Sequence, residues 1–286
     1  MKSITILSFT AGLLFLLADL SYGQDIISAA DLAQIIKSDQ VVVVSARKAE
    51  DYKKVHITGA IHLDHKSLYK EKSMLQDPVQ IATILGNKGI SDQMKIVVYD
   101  NGSAKYSGRI YWILKYLGAK DVKMLDGGMK AWRMARKPVT KNPTTGKKAR
   151  FNPAVDKSSF ASMSQVKQAS KNPAYVLVDV RSFEEYNGTA QTKLRPGHVP
   201  KAVNLNYKEV LTAQGTLKSN AELAPIFANV GITKNKEIIL YCESSVRAGI
   251  VYLALKSALK YPKVRVYDGA YLEWESFKEN KIEVAP

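Results

Sequence analysis

The chain has 286 residues, 46% of them hydrophobic, which excludes an intrinsically disordered protein and provides core material for two domains. A formal net charge of +16 points to anionic partners. Lys and Arg are nevertheless spread along the whole chain, with no arginine-rich arm, zinc-finger spacing or aromatic-basic strand, so a solvated basic surface is expected and no nucleic-acid partner.

In chain order, the first segment, "MKSITILSFTAGLLFLLADLSYGQD", carries a lysine, an apolar stretch from Ile4 to about Leu20, and small residues at Ser21 and Gly23. That pattern predicts a signal peptide over residues 1–23 and a periplasmic or secreted protein. The competing reading, a retained membrane anchor, is opposed by Asp19 and by the shortness of the stretch. No stable membrane insertion is expected from any later segment.

An internal repeat follows. "QVVVVSARKAEDYKKVHITGAIHLDH" (40–65) resembles "AYVLVDVRSFEEY" and "RPGHVPKAVNLNY" (174–207), and "KIVVYDNGSAKYSGRIYWILKYLG" (95–118) resembles "EIILYCESSVRAGIVYLALKSAL" (237–259). Short apolar β-branched runs alternate with helix-period segments, which predicts α/β units, each a parallel sheet with helices on both faces. The period is too long for a solenoid and suits two tandem domains, over 25–138 and 159–286. Residues 139–158, rich in Pro, Lys, Thr and Gly, read as a linker lying across the surface.

Cys242 is the one cysteine, so no internal disulfide exists and the thiol is either a buried bystander or reactive. It follows the strand-like "EIILY" and precedes "ESSVR", which leads into the helix-like "AGIVYLALKSAL". Chemistry in open parallel sheets collects at the carboxyl ends of strands. A strand-loop-helix at that place aims backbone N–H groups and a positive helix end into the loop, which favours a thiolate beside Arg247. A bystander needs none of this.

The repeat, the strand-Cys-loop-helix, "GHVPKAVN" (197–204) and "DGAYLEW" (268–274) resemble the two-domain rhodanese, or sulfurtransferase, family over roughly residues 25–280. The resemblance implies two tandem rhodanese-like domains, the second catalytic and the first inactive, with Asp100 at the position that matches Cys242. It implies that Cys242 takes a sulfane sulfur from thiosulfate or a similar donor as a persulfide and passes it to cyanide or a thiol. No cofactor or metal is called for. The partners implied are a small anionic sulfur donor and a thiophilic acceptor, and the chain is expected to be a monomer.

In the roles so implied, the backbone N–H groups of Glu243, Ser244, Ser245, Val246 and Arg247 cradle the persulfide. The Arg247 side chain binds the donor or braces the loop through a carboxylate. Asp179 is the expected brace, with Arg181 beside it, and its first-copy counterpart Ser45 lacks the charge. The four-residue gap between Cys242 and Arg247 favours sulfur transfer over the related phosphatases, which use five.

Several positions depart from the family. Related loops often place glycine at Ser245, thiosulfate enzymes carry basic residues at Glu243 and Ser244, and an arginine stands where this chain has Glu185. Mercaptopyruvate enzymes have a small-residue loop ending in threonine, which "CESSVR" also lacks, and a 3-mercaptopyruvate donor stays open as an alternative. A rival from another class is a sulfur-carrier or thiol-sensing module without turnover. His198 is expected to order its loop, the glycines of "DGGMKAW" and "DGAYLEW" to make turns, and Trp112, Trp132 and Trp274 to fill core.

Overall fold

The computed structural model describes residues 25–285, so the predicted signal peptide lies outside the described residues. Twelve strands are present among them: β1 (Ile26–Ile27), β2 (Val41–Ser45), β3 (His56–Ile57), β4 (Ile61–His62), β5 (Lys95–Tyr99), β6 (Asp121–Leu125), β7 (Val139–Thr140), β8 (Phe160–Ala161), β9 (Tyr175–Asp179), β10 (Val203–Asn204), β11 (Glu237–Tyr241) and β12 (Val264–Tyr267). The first unit pairs in the order β1-β6-β5-β2-β4 and the second in the order β8-β12-β11-β9-β10, with every pairing in both sheets parallel. The two orders are the same order met twice. Ser45 is level with Tyr99 and Asp179 with Tyr241, so Asp100 and Cys242 leave equivalent strands at equivalent places.

Alternation along the central strands decides which way the thiol faces. In β11, Ile239 and Tyr241 pack on the outer side of their sheet, while Ile238, Leu240 and then Cys242 point into a core shared by both units. A period of two therefore delivers Cys242 to the side facing the first unit. Trp112 lies in that shared core, and Trp132 and Trp274 lie in the outer cores of the first and second sheets.

The shared core is built on the two helices that follow the equivalent loops, Lys105–Tyr116 and Ala248–Leu253, the second continuing as one π-helical turn over Ala254–Ala258. They touch backbone to backbone at Gly108 and Gly249. A Cβ placed on Gly108 would lie 2.6 Å from the Ile250 nitrogen, a distance no real side chain tolerates.

The aspartates of the two "DG" motifs reach across the same boundary. Asp126 accepts the Leu217 N–H at 2.9 Å, and Asp268 accepts the Leu75 N–H at 2.8 Å, a reciprocal clasp in which each unit's motif holds a loop of the other. Sequence reading assigned these motifs turns and packing alone. The segment between the units is fastened along the first: β7 pairs antiparallel with β3, Ala149 N–H donates to Gly86 O at 2.9 Å, and Phe151 is buried.

Candidate active site

The loop after β11 carries the thiol. Cys242 is fully buried, and the Arg247 N–H donates to its Sγ at 3.3 Å. Ser245 stands in the left-handed region at φ 56°, which explains why related loops use glycine there. Its hydroxyl donates to the Tyr267 carbonyl and it is fully buried, so its side chain is a strut for the loop, and the expected cradle role falls to its backbone N–H alone. From above, the helix Ala270–Ser276 offers its first N–H groups, Tyr271 to the Cys242 carbonyl and Leu272 to that of Glu243, each at 3.0 Å.

Arg247 is held differently from the sequence expectation. Its guanidinium makes a two-pronged pair with Glu185 at 2.6 and 2.8 Å and lies 3.6 Å from Glu243. Burial opposes the Arg247 charge, but the Glu185 carboxylate outweighs it and the guanidinium pKa is raised. Glu185 is aimed by its own helix start: Ser182 and Glu185 form a reciprocal cap on Phe183–Tyr186. Asp179, the expected brace of Arg247, is instead committed to Arg181, which sits two residues on and turns back to grip it at 2.6 and 3.0 Å. Arg181 also donates to Gly197 O at 2.8 Å and covers the Tyr271 ring at 3.9 Å, so this pair supports the loop from below. His198 stacks on Tyr186 at 3.7 Å and bonds its carbonyl, an ordering role mirrored in the first unit by His56 on Tyr52 at 3.8 Å.

The equivalent loop of the first unit shows what this backbone does with an anion. Asp100 folds its carboxylate into the loop and accepts the N–H groups of Gly102 at 2.8 Å, Ala104 and Tyr106 at 3.1 Å and Ser107 at 3.4 Å, with the Ser103 hydroxyl at 3.1 Å. Ala104 takes the same left-handed step, φ 57°, as Ser245. Asp100→Ala is expected to cost on the order of 3 kcal/mol, because several buried donors lose a charged acceptor. Cys242 should still accept sulfur in that variant. Thermal melting and intact mass after exposure to thiosulfate check both halves.

A cleft of about 600 Å³ opens between the units at the loop that follows Cys242, whose own side chain lies buried behind that loop. Glu243, Ser244, Val246, Arg247, Ser182, Glu185, Asn206, Tyr207 and Lys208 line it from the second unit, and His65, Lys66, Lys105 and Tyr106 from the first. No local pattern in the sequence marks the first-unit residues or Asn206, Tyr207 and Lys208. The repeat held the clue: if the two thiol-loop helices pack on each other, the loop after Asp100 must face the loop after Cys242.

His65 is buried against Tyr69 and Tyr106. Burial lowers its pKa from 6.5 to about 4, against the opposing pull of Asp64, so the ring is neutral at pH 7. A histidine that must stay neutral in the fold stabilises it above pH 6.5, and that contribution is lost as pH falls toward 4, since the unfolded chain binds the proton first. With partial exposure discounted, this is about 2 kcal/mol. His65→Gln should flatten the stability profile across that window, as read by denaturant melts at successive pH values.

Two tandem parallel α/β units of one strand order, with a thiol after the central strand of one and a carboxylate at the matching place in the other, define the class. The rhodanese-like domain model matches residues 28–135 and again 162–277, and the chain belongs to that family as a tandem rhodanese-type sulfurtransferase. It is 31% identical over 284 residues to a Mycolicibacterium smegmatis protein named "Putative thiosulfate sulfurtransferase", covering 91% of this chain and 98% of the relative. The sulfur carrier protein TtuD of Thermus thermophilus is 31% identical over 234 residues, 77% of this chain and 82% of TtuD. The crystal structure of the 3-mercaptopyruvate sulfotransferase SseA from Escherichia coli superposes with a TM-score of 0.80 at 29% identity, over 86% of this chain and 98% of that one.

Proposed function

We propose that the protein is an exported sulfurtransferase that takes a sulfane sulfur from thiosulfate, holds it as a Cys242 persulfide and passes it to a thiophilic acceptor. In the first step the Cys242 thiolate attacks the outer sulfur of the donor, the S–S bond of thiosulfate breaks, and sulfite leaves with the bonding pair. The acceptor then attacks the outer sulfur of the persulfide and Cys242 departs as thiolate.

The observation that carries this reading is Asp100. A carboxylate oxygen lies two bonds beyond Cβ, as does the outer sulfur of a cysteine persulfide, and in the first unit this loop gives four backbone N–H groups to the Asp100 carboxylate, those of Gly102 and Ala104 to Oδ1 and those of Tyr106 and Ser107 to Oδ2. The loop after Cys242 is one residue shorter before its own left-handed residue, Ser245, and the Arg247 N–H already points at Sγ, so its backbone from Ser244 to Arg247 is the cradle we assign to the outer sulfur, stabilising negative charge there as it develops. Arg247, tied to Glu185, is assigned to hold the loop and not to grip the donor.

Names of relatives support both thiosulfate and 3-mercaptopyruvate as donors, so the test uses both. The unsubstituted chain should gain one sulfur on Cys242 from thiosulfate, lose it on adding cyanide, and turn over with thiocyanate release. Cys242→Ser should fold and do none of these. A persulfide that forms without turnover would support the carrier reading. Faster turnover with 3-mercaptopyruvate would replace the donor.

A further inference from the structure

The cleft separates its charges. Beside the thiol, Arg247 is neutralised by Glu185 and faces Glu243 as well. On the walls stand Lys66, Lys105 and Lys208, and among the described residues no carboxylate pairs with any of them; Lys105 only overlies the Tyr106 ring at 4.7 Å. Lys66 and Lys208 occupy matching short turns of the two units, His65–Leu68 and Tyr207–Val210, so one rises from each wall. The volume, about 600 Å³, suits an organic molecule of many heavy atoms, whereas cyanide or thiosulfate fills a small part of it.

We propose that the physiological acceptor is an organic thiol bearing two carboxylates, which Lys66 and Lys208 hold from opposite walls with Lys105 alongside, while its sulfur points at Cys242. This rests on the sulfur-transfer reading and names the acceptor for that same site. A thiol with remote carboxylates places its charge on the wall lysines, which no carboxylate pairs among the described residues, whereas Arg247 beside the thiol already has its counter-charge in Glu185. In the step, the acceptor thiolate RS⁻ attacks the outer sulfur of Cys242–S–SH, that S–S bond breaks, and RS–SH and the Cys242 thiolate result. No oxidant or reductant is consumed.

Glutathione is the probe, with its diethyl ester as the same thiol lacking free carboxylates. Cys242 is loaded with thiosulfate, or with polysulfide, and the second-order rate of sulfur discharge is measured for each. Glutathione is expected to react about tenfold faster than the ester, and the preference should fall toward unity in Lys66→Gln/Lys208→Gln and at high ionic strength. Equal rates in the unsubstituted chain, or a preference that survives in the double variant, would overturn the proposal. Calorimetric binding of unreactive S-methylglutathione, expected in the unsubstituted chain and lost in the double variant, reads the lysine site without sulfur chemistry. If Cys242 loads from neither reagent while that binding behaves as expected, the sulfur-transfer reading fails and the site stands; if it loads but binding and preference are absent, the reverse holds.

Discussion

Asp268→Ala should lower stability by about 3–5 kcal/mol, a fall of roughly 10 °C in melting temperature. Asp268 Oδ1 receives Arg109 Nη2 at 2.6 Å and Oδ2 receives the Leu75 N–H at 2.8 Å. Arg109 is fully buried, its Nε donates to the Tyr69 hydroxyl at 3.0 Å, and its Nη1 has no hydrogen-bond partner. Removing the carboxylate leaves a guanidinium in the shared core without a counter-charge, which is the expensive way to break a buried pair. Replacing both partners, Arg109→Met with Asp268→Leu, should recover part of the loss, because the stranded charge goes too. A drop under about 1 kcal/mol in Asp268→Ala, measured by denaturant unfolding, would show that water reaches Arg109 and that the pair is not what holds the units together.

That pair also shows where sequence reasoning stops. The repeat, the strand runs and the Cys-loop-helix order were legible because each is local: a period of two or 3.6 and a few spacings carry them. The mapping of Asp100 onto Cys242 followed from the repeat, and the equivalent register of the two central strand pairs agrees with it. Ion-pair partners were not legible, because a carboxylate two positions from an arginine and one sixty positions away read alike along a chain. Asp179 was assigned to Arg247 on closeness to the strand end, yet Arg181 is nearer in sequence and claims it, while Glu185, noted only as a departure, faces Arg247 across the loop. The first-unit wall was hidden for a related reason. Lys66 and Lys105 look like solvated lysines until the pseudo-symmetric packing of the two units brings them into one cleft with the thiol loop of the other.

The same packing sets the most severe expectation from a single methyl group. A Cβ on Gly249 would overlap the Gly108 carbonyl and lie 2.8 Å from the Arg109 nitrogen. These are backbone atoms inside a twelve-residue helix, so no side chain can swing aside to make room. Gly249→Ala must therefore push the helices Lys105–Tyr116 and Ala248–Leu253 apart, and overpacking of this kind costs about 3 kcal/mol or more. Function should suffer beyond stability, because both helices begin at the cleft: Lys105 and Tyr106 open one, and Arg247 immediately precedes the other. Displacement by about 1 Å of one wall against the other is enough to cost on the order of a hundredfold in transfer rate. Gly249→Ala should accordingly melt far below the unsubstituted protein and, at a temperature where it is still folded, discharge a loaded Cys242 much more slowly to an organic thiol. An alanine variant within about 1 kcal/mol of the parent, with the same discharge rate, would mean that the two units slide freely on each other and that the glycine contact does not set the width of the cleft.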